Sequence, residues 1–127
     1  MRAFTSIEQS KQLAKILPIE SADMRYGYIA PYEYSDRMYD GGYDEIPYPK
    51  DFLKKNPNFS ENEYDGELPA WSLAALLEQF DDAAGLAKDY GFWFCYDNRK
   101  SCYTKHYDNP IDACYEMIVK LKEKGLM

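Results

Sequence analysis

The sequence predicts a single α+β domain over residues 1–127, in which three main helices pack on a small antiparallel sheet that contains a β-hairpin. Three segments carry apolar residues at the three- and four-residue spacing of an amphipathic helix, and an aromatic run at residues 92–96 is typical of a strand. Hydrophobic residues make up 46% of the chain and charged residues 29%, which is the composition of a globular protein with a packed core.

The first helix is predicted over residues 6–17. Thr5 and Glu8 have the spacing of a capping box, in which the Thr5 hydroxyl accepts from the amide of Glu8 and the Glu8 carboxylate accepts from the amide of Thr5. Pro18 ends the helix because its ring clashes with the preceding turn. Between these signals lies a moderately apolar stripe, which consists of Ile7, Ser10, Leu13, Ala14 and Leu17.

Residues 22–67 are predicted to form a tyrosine-rich insertion. Eight of the 13 tyrosines lie here, scattered among glycines and prolines without helical periodicity. A short strand is expected over residues 24–30 and a short helix at residues 50–55. The remainder is interpreted as ordered loop held by its own aromatic rings, because a structureless loop of this length is unusual inside a compact domain.

A central helix is predicted to begin at Pro69, which suits a first helical turn because its missing N–H is not needed there. Trp71 and Ala75 fall on the side opposite to its leucine face, so this helix is expected to be covered from both directions and to be the best buried. The connection at residues 81–90 is expected to retain some helix. The leucine face comprises Leu73, Leu76, Leu77 and Phe80.

Residues 92–96 and 101–105 are predicted to form a β-hairpin around a polar turn. The expected register places Tyr96 opposite Ser101, Cys95 opposite Cys102 and Phe94 opposite Tyr103. Alternation then gives one face with Phe92, Phe94, Tyr96 and Tyr103, and a second face with Trp93, Cys95, Cys102 and Thr104. We interpret the two facing cysteines as packed thiols, and a redox pair is the alternative.

The last helix is predicted to begin after Asn109, which is a good N-cap, with Pro110 in its first position and Asp112 adding a favourable negative charge to the first turn. Gly125 is a natural residue to follow its end. Glu116 and Lys120 have the spacing of an ion pair on the solvent side. The apolar face consists of Ile111, Cys114, Tyr115, Ile118 and Leu121.

The net charge and the cysteines limit the classes of ligand and the cellular location that are expected for the protein. A formal net charge of −7 opposes binding to nucleic acid or to anionic lipid, because both depend on clustered Lys and Arg. No apolar run has the length of a signal peptide or a membrane span. Three cysteines without paired spacing are typical of reduced thiols, so a cytoplasmic location is predicted.

No constellation of catalytic, cofactor-binding or metal-ligating residues is recognised, and no cofactor is predicted. His106 is the only histidine, and Cys102, four residues away on the predicted strand, would lie roughly 13 Å from it. His106 is therefore interpreted as an ordinary strand-end residue. Residues 61–66 imitate the start of a calcium loop, but Ser72 stands where the bidentate Glu is required, so a solvated acidic segment is expected.

The tyrosine-rich segment carries the functional prediction. Tyrosine offers a large contact area at a small cost in conformational entropy, which suits a binding surface. The leading hypothesis is a noncatalytic protein-binding module, and the sequence leaves its oligomeric state open. The alternatives are rings that only hold the insertion on the domain, a small enzyme with an acidic and tyrosine site near Trp71, or an acidic mimic of nucleic acid. The candidate partner-binding residues are Tyr28, Tyr32, Tyr34, Tyr39, Tyr43 and Trp71.

Two motifs resemble those of a known family. Residues 68–77, LPAWSLAALL, and residues 108–117, DNPIDACYEM, with the hairpin between them, resemble a family of small uncharacterised proteins encoded by Bacteroides-type gut bacteria and by their phages or mobile elements. The resemblance covers mainly residues 68–127, and the opening SIEQS at residues 6–10 is also similar. It implies a small α+β architecture and a bacterial, intracellular setting, and it carries no activity or catalytic residue over to this chain.

Overall fold

A computed structural model describes residues 2–29, 31–49 and 68–127. The expected helix at residues 50–55 and the acidic segment at residues 61–66 lie outside these ranges. The described chain is mixed α and β, as predicted. In order, the elements are α1 (Ile7–Leu13), a 3-10 turn (Ile19–Ser21), β1 (Met24–Tyr26), β2 (Tyr28–Ile29), β3 (Tyr32–Tyr34), β4 (Arg37–Tyr39), β5 (Gly42–Tyr43), β6 (Tyr48–Pro49), β7 (Leu68–Ala70), α2 (Leu73–Leu77), β8 (Ala84–Asp89), β9 (Phe92–Asp97), β10 (Cys102–Tyr103) and α3 (Pro110–Glu123).

Helix α1 begins one residue later than predicted and ends at Leu13, four residues before the predicted end, so Pro18 is not the residue that ends it. The Ser6 hydroxyl accepts from the amide of Gln9 at 3.1 Å, and the Gln9 side chain accepts from the amide of Ser6 at 3.0 Å, so the capping box is Ser6/Gln9 and not Thr5/Glu8. Thr5 is buried, and its backbone amide donates to the carbonyl of Trp71 at 2.9 Å. The Thr5 hydroxyl also accepts from the amide of Trp71 at 3.1 Å and lies 2.8 Å from the Ser10 hydroxyl, so it is occupied by these contacts and the cap is formed by Ser6.

The predicted central helix is shorter than expected. Pro69 lies in strand β7 opposite Arg25, at the edge of a three-stranded sheet with the order β6-β1-β7, where the missing N–H of proline is tolerated. Ser72 caps the helix by accepting from the amide of Ala75 at 3.2 Å. Only five helical residues follow. Leu76 is fully buried, whereas Leu77 is 37% exposed, so the predicted leucine face is only partly core.

Residues 84–89 form a strand, β8, where partial helix was expected. β8 pairs with β9 along its whole length, from Ala84 opposite Asp97 to Asp89 opposite Phe92. Tyr90 and Gly91 join the two strands, and both have positive φ angles, 51° and 84°, as a two-residue hairpin turn requires. The predicted two-stranded hairpin is thus a three-stranded meander with the order β10-β9-β8.

The register between β9 and β10 also differs from the prediction. Cys102 lies opposite Asp97, because the loop occupies residues 98–101 and the carboxylate of Asp97 accepts from the amides of Arg99 and Lys100. Cys95 is therefore paired with Thr104, whose hydroxyl accepts from the Cys95 amide at 2.9 Å, and the expected opposition of Cys95 and Cys102 is wrong. The predicted division of the faces agrees with the observed burial, since Cys95, Cys102 and Thr104 are buried and Phe92 and Tyr103 are exposed.

Helix α3 begins and ends as predicted. Asn109 caps it by accepting from the amide of Ile111 at 2.9 Å, Pro110 follows in the first turn, and Gly125 lies beyond its end with a positive φ. The helix packs against β9 and α2. Among the described helices it has the most buried residues, whereas the central helix was predicted to be the best buried. Its buried residues are Pro110, Ile111, Ala113, Cys114, Met117, Ile118 and Leu121.

Candidate binding site

The tyrosine-rich segment contains one long, interrupted β-hairpin, which we call the arm (residues 24–29 and 31–49). β1 pairs with β6, β2 with β5 and β3 with β4, all antiparallel. At the tip, Ser35 and Asp36 separate the paired residues Tyr34 and Arg37, and both have positive φ angles, 52° and 61°. A two-residue turn of this kind matches the twist of the flanking strands. The expected ordered loop is therefore a hairpin over these residues.

The base of the arm is fixed to the domain by a buried tyrosine. Tyr26 is almost fully buried, and its hydroxyl donates to the carbonyl of Thr5 at 2.7 Å. Burial raises its pKa, although the charge of Arg2 opposes the shift. On the other side, β1 also pairs with β7. One tyrosine of the segment thus has the holding role that the sequence offered as an alternative for all of them.

Two pairs of tyrosine rings lie on the arm. Tyr28 and Tyr43 are directly opposite in the register, and their ring centroids are 5.0 Å apart with a tilt of 54°. Tyr32 and Tyr39 are also opposite, at 5.0 Å and only 11° from parallel. Three residues separate the two pairs on each side of the hairpin, so the register is the same for both pairs. Alternation along the strands then places both pairs, and Tyr34, on one face of the arm.

The exposure of these rings increases towards the tip. Tyr28 and Tyr43 are half-buried, whereas Tyr32 is 50% exposed, Tyr39 is 39% exposed and Tyr34 is 68% exposed. All residues from 31 to 40 are exposed. Rings that remain this accessible contribute little to a hydrophobic core. We call the set Tyr28, Tyr32, Tyr34, Tyr39 and Tyr43 the tyrosine face.

An open cleft of about 380 Å³ lies on the arm between the two ring pairs. Tyr32 and Tyr39 form one side, and Tyr43 belongs to the other. Gly41 and Gly42, which have no side chains, lie between them in the chain and leave the space open. Two carboxylates, those of Asp40 and Asp44, complete the lining. The rings of this cleft are among the contact residues predicted from the sequence, whereas neither carboxylate was predicted.

Asp44 has an unusual hydrogen-bonding state. Its backbone amide donates to the carbonyl of Gly27 at 2.9 Å, which continues the ladder of the arm. Its carboxylate oxygen Oδ2 is buried and has no hydrogen-bond partner within residues 2–29, 31–49 and 68–127. A buried acceptor without a donor is unfavourable for the free energy of folding, more so when it is charged.

Trp71 does not share the tyrosine face. It is fully buried, and its indole N–H donates to the hydroxyl of Ser21 at 2.9 Å. Its inclusion among the candidate contact residues is therefore wrong, because no surface of its ring is available to a partner. Close to it, the carboxylate of Asp23 accepts from the amide of Ser72 at 2.9 Å and so supports the cap of α2.

The cysteines and the histidine form other contacts than those expected. The thiols of Cys95 and Cys114 lie 3.6 Å apart, and both residues are fully buried. The hydrogen bond to Cys114 and burial raise the pKa of Cys95, which disfavours the reactive thiolate. His106 is half-exposed beside Asp89, with 3.7 Å between its Nε2 and the carboxylate. Two sequence patterns could have indicated the cysteine contact: Cys95 lies on the face of β9 with Cys102 and Thr104 on the neighbouring strand, and Cys114 lies on the apolar face of α3.

Two kinds of arrangement are absent from the described ranges, residues 2–29, 31–49 and 68–127. Within them, no group of three or more His, Cys, Asp or Glu residues has the arrangement of a metal site. No helix there has both the length and the apolar character needed to cross a membrane.

Comparison of the chain with protein-family models, with curated proteins and with solved structures gave no match. The resemblance to small proteins of gut bacteria and their mobile elements stays a prediction. The candidate site therefore depends on the geometry of the arm alone.

Proposed function

We propose that this chain is a noncatalytic protein-binding module whose contact surface is the tyrosine face. The observation that carries the proposal is the stacked pair Tyr32 and Tyr39 at the exposed end of the arm. A cytoplasmic setting is part of the same proposal and depends on the cysteine usage of the sequence.

Preorganisation supports a binding role for this pair. An exposed tyrosine loses freedom about two side-chain torsions when a partner covers it. Because Tyr32 and Tyr39 already restrict each other, a part of that loss has occurred before binding. Aromatic anchors of this type are enriched among residues whose truncation weakens an interface by about 2 kcal/mol or more.

The position of the pair also supports a contact role. The tip lies at the end of the arm that is remote from Tyr26, the residue that fixes the base to the domain. Met38 lies on the opposite face of the same tip and is 70% exposed. The arm therefore offers apolar surface on both sides of its end, and a partner that receives the tip covers both.

Quantitative affinity capture with three matched baits tests the proposal: the wild-type chain, the double variant Tyr32→Ala/Tyr39→Ala, and Tyr103→Ala. Tyr103 is an equally exposed tyrosine on β10, outside the arm. We expect at least one protein to bind the wild-type chain and Tyr103→Ala and to be lost from the double variant. Equal recovery on all three baits would exclude the tyrosine face as the contact surface.

A further inference from the structure

We propose that the cleft between the two tyrosine pairs binds an organic cation, an ammonium or guanidinium group such as those of lysine and arginine side chains or of polyamines. The inference names the ligand chemistry of the surface proposed above and rests on that proposal for its biological role. Two features of the arm support it: the aromatic rings, and the carboxylates together with the net negative charge to which they contribute.

The walls of the cleft are aromatic. The face of a tyrosine ring carries a negative electrostatic potential, which attracts a cation that approaches within about 6 Å of the ring centroid. One ring of the cleft already interacts in this way, since the ammonium nitrogen of Lys11 lies 5.7 Å from the centroid of Tyr43. Tyr32 and Tyr39 have no cation at such a distance among the described residues. Because the two rings stack on each other, only the face that each ring turns away from its partner is free of these contacts.

Two carboxylates belong to the lining of the cleft. Asp40 and Asp44 provide carboxylates, and the Oδ2 atom of Asp44 is buried without a partner within the described part of the chain. Ammonium and guanidinium groups are donors only, and their charge strengthens hydrogen bonds to carboxylates. A cation of this class would meet both carboxylates and aromatic rings among the residues that line the cleft. An anion would meet two carboxylates and be repelled.

The charge of the arm favours the same ligand. Residues 24–49 contain five carboxylates, those of Glu33, Asp36, Asp40, Asp44 and Glu45, and two basic residues, Arg25 and Arg37, which gives this stretch a formal net charge of −3. Arg37 lies opposite Tyr34 near the tip, beyond the ring pair that borders the cleft. The field of the arm therefore attracts cations, and the attraction weakens as salt concentration rises.

The inference is tested by following backbone amide signals of the full chain in NMR titrations with small probes. Nα-acetyl-arginine methylamide and Nα-acetyl-lysine methylamide carry the two cations. The matching citrulline derivative has nearly the shape of the arginine probe without its charge. Spermidine represents a free polyamine. We expect saturable shifts at residues 39–44 with at least one cationic probe and shifts at least about fivefold smaller with the citrulline probe. Similar shifts with both arginine and citrulline probes would overturn the inference.

Two isosteric variants separate a site from a general charge effect. Asp44→Asn removes one of the two carboxylate charges of the cleft. Asp36→Asn removes one charge at the tip, where asparagine tolerates the positive φ equally well. We expect Asp44→Asn to weaken cation binding about fivefold or more and Asp36→Asn to weaken it less than about twofold. Equal effects would overturn the inference, and the same spectra report whether each variant is folded.

The outcomes also distinguish this inference from the proposed function. In one outcome, a captured protein is lost from the Tyr32→Ala/Tyr39→Ala bait while the cationic probes give no response. This result would support the proposed protein-binding function and overturn the cation site. A response to the arginine or lysine probe that exceeds the response to spermidine supports a side chain of a protein partner as the source. A stronger response to spermidine supports a free polyamine and overturns the assignment to a partner side chain.

Discussion

Tyr32 and Tyr39 face each other across the arm with their ring centroids 5.0 Å apart and their planes 11° from parallel. They are register partners, so the strand pairing of β3 and β4 determines the contact. Aromatic pairs on one face of an antiparallel ladder stabilise the pairing in return. Ring contact and strand pairing therefore depend on each other at the end of the arm.

The substitution Tyr39→Ala tests this dependence. We expect it to increase hydrogen exchange at the backbone amides of residues 31–40, because the loss of a cross-strand aromatic pair weakens the local hairpin by about 0.5–1.5 kcal/mol. The global free energy of unfolding should change little, since these residues are exposed. Hydrogen exchange measured by mass spectrometry and urea denaturation provide the two readouts.

Met38→Ala is the matched control for Tyr39→Ala. Met38 is the neighbouring residue on the same strand, more exposed than Tyr39, and it points to the opposite face, across from Glu33. We expect almost no change in exchange at the tip. If both substitutions increase exchange equally, the stacked pair has no particular role in the stability of the hairpin.

The tip turn gives a second prediction. Ser35 and Asp36 both have positive φ angles, although Asn-Gly is the pair that best tolerates this conformation. Replacing both residues, Ser35→Asn and Asp36→Gly, should stabilise the hairpin by about 0.4–1 kcal/mol and slow exchange at its amides. Replacing Asp36 alone with Val should have the opposite effect, because a β-branched residue is strained at positive φ. Faster exchange in the Asn-Gly variant would contradict the assigned turn.

The tyrosines were found from the sequence by composition, but the arm was not. Tyr32 and Tyr34 alternate on one side of the turn, and Tyr39 follows on the other, which is the period of a strand. Two features hide the pattern. The turn residues are Ser-Asp instead of a strong hairpin signal, and Ile46 and Pro47 belong to a bulge that interrupts the pairing between Asp44 and Tyr48.

Local sequence determines where one helix begins, but it does not determine the structure around Pro69. Asn109 and Pro110 are a strong local start signal, and α3 begins there as predicted. Pro69 is equally compatible with a first helical turn and with an edge strand, so the sequence alone does not choose between them. The choice comes from the pairing of β7 with β1, a contact between segments more than 40 residues apart.

Leu76 and Leu77 allow a direct test of this correction. The predicted helix buries both, whereas the structure buries Leu76 fully and leaves Leu77 37% exposed. We expect Leu76→Ala to lower the free energy of unfolding by about 2–5 kcal/mol and Leu77→Ala to lower it by less than about 1 kcal/mol. Urea denaturation of the two variants measures the difference. Losses of equal size would show that both leucines belong to the core, as the longer helix requires.

The last prediction concerns alkaline pH. The hydrogen bond to Cys114 and burial raise the pKa of Cys95 above its ordinary value of 9.0. Burial also raises the pKa of Tyr26 above its ordinary value of 10.0. It raises the pKa of Tyr107 from 10.0 to about 12. A group with a raised pKa in the folded state keeps its proton there after the unfolded chain has lost it, so the unfolded state becomes favoured as pH increases. The stabilising contribution of Cys95 is complete below pH 9.0 and decreases above it.

We therefore expect the free energy of unfolding to fall as pH rises above about 9, by up to about 1.4 kcal/mol per pH unit for each group that is ionised only in the unfolded chain. Cys95→Ala should be less stable at pH 7 because it leaves a small cavity, but it should lack the decrease between pH 9 and 10. Above pH 10 the decrease should return, because Tyr26 and Tyr107 remain. Urea denaturation of both proteins at several pH values measures these slopes. If the two proteins show equal slopes from pH 9 upwards, the Cys95 thiol ionises equally in the folded and unfolded states. That result would contradict the raised pKa expected from its burial against Cys114.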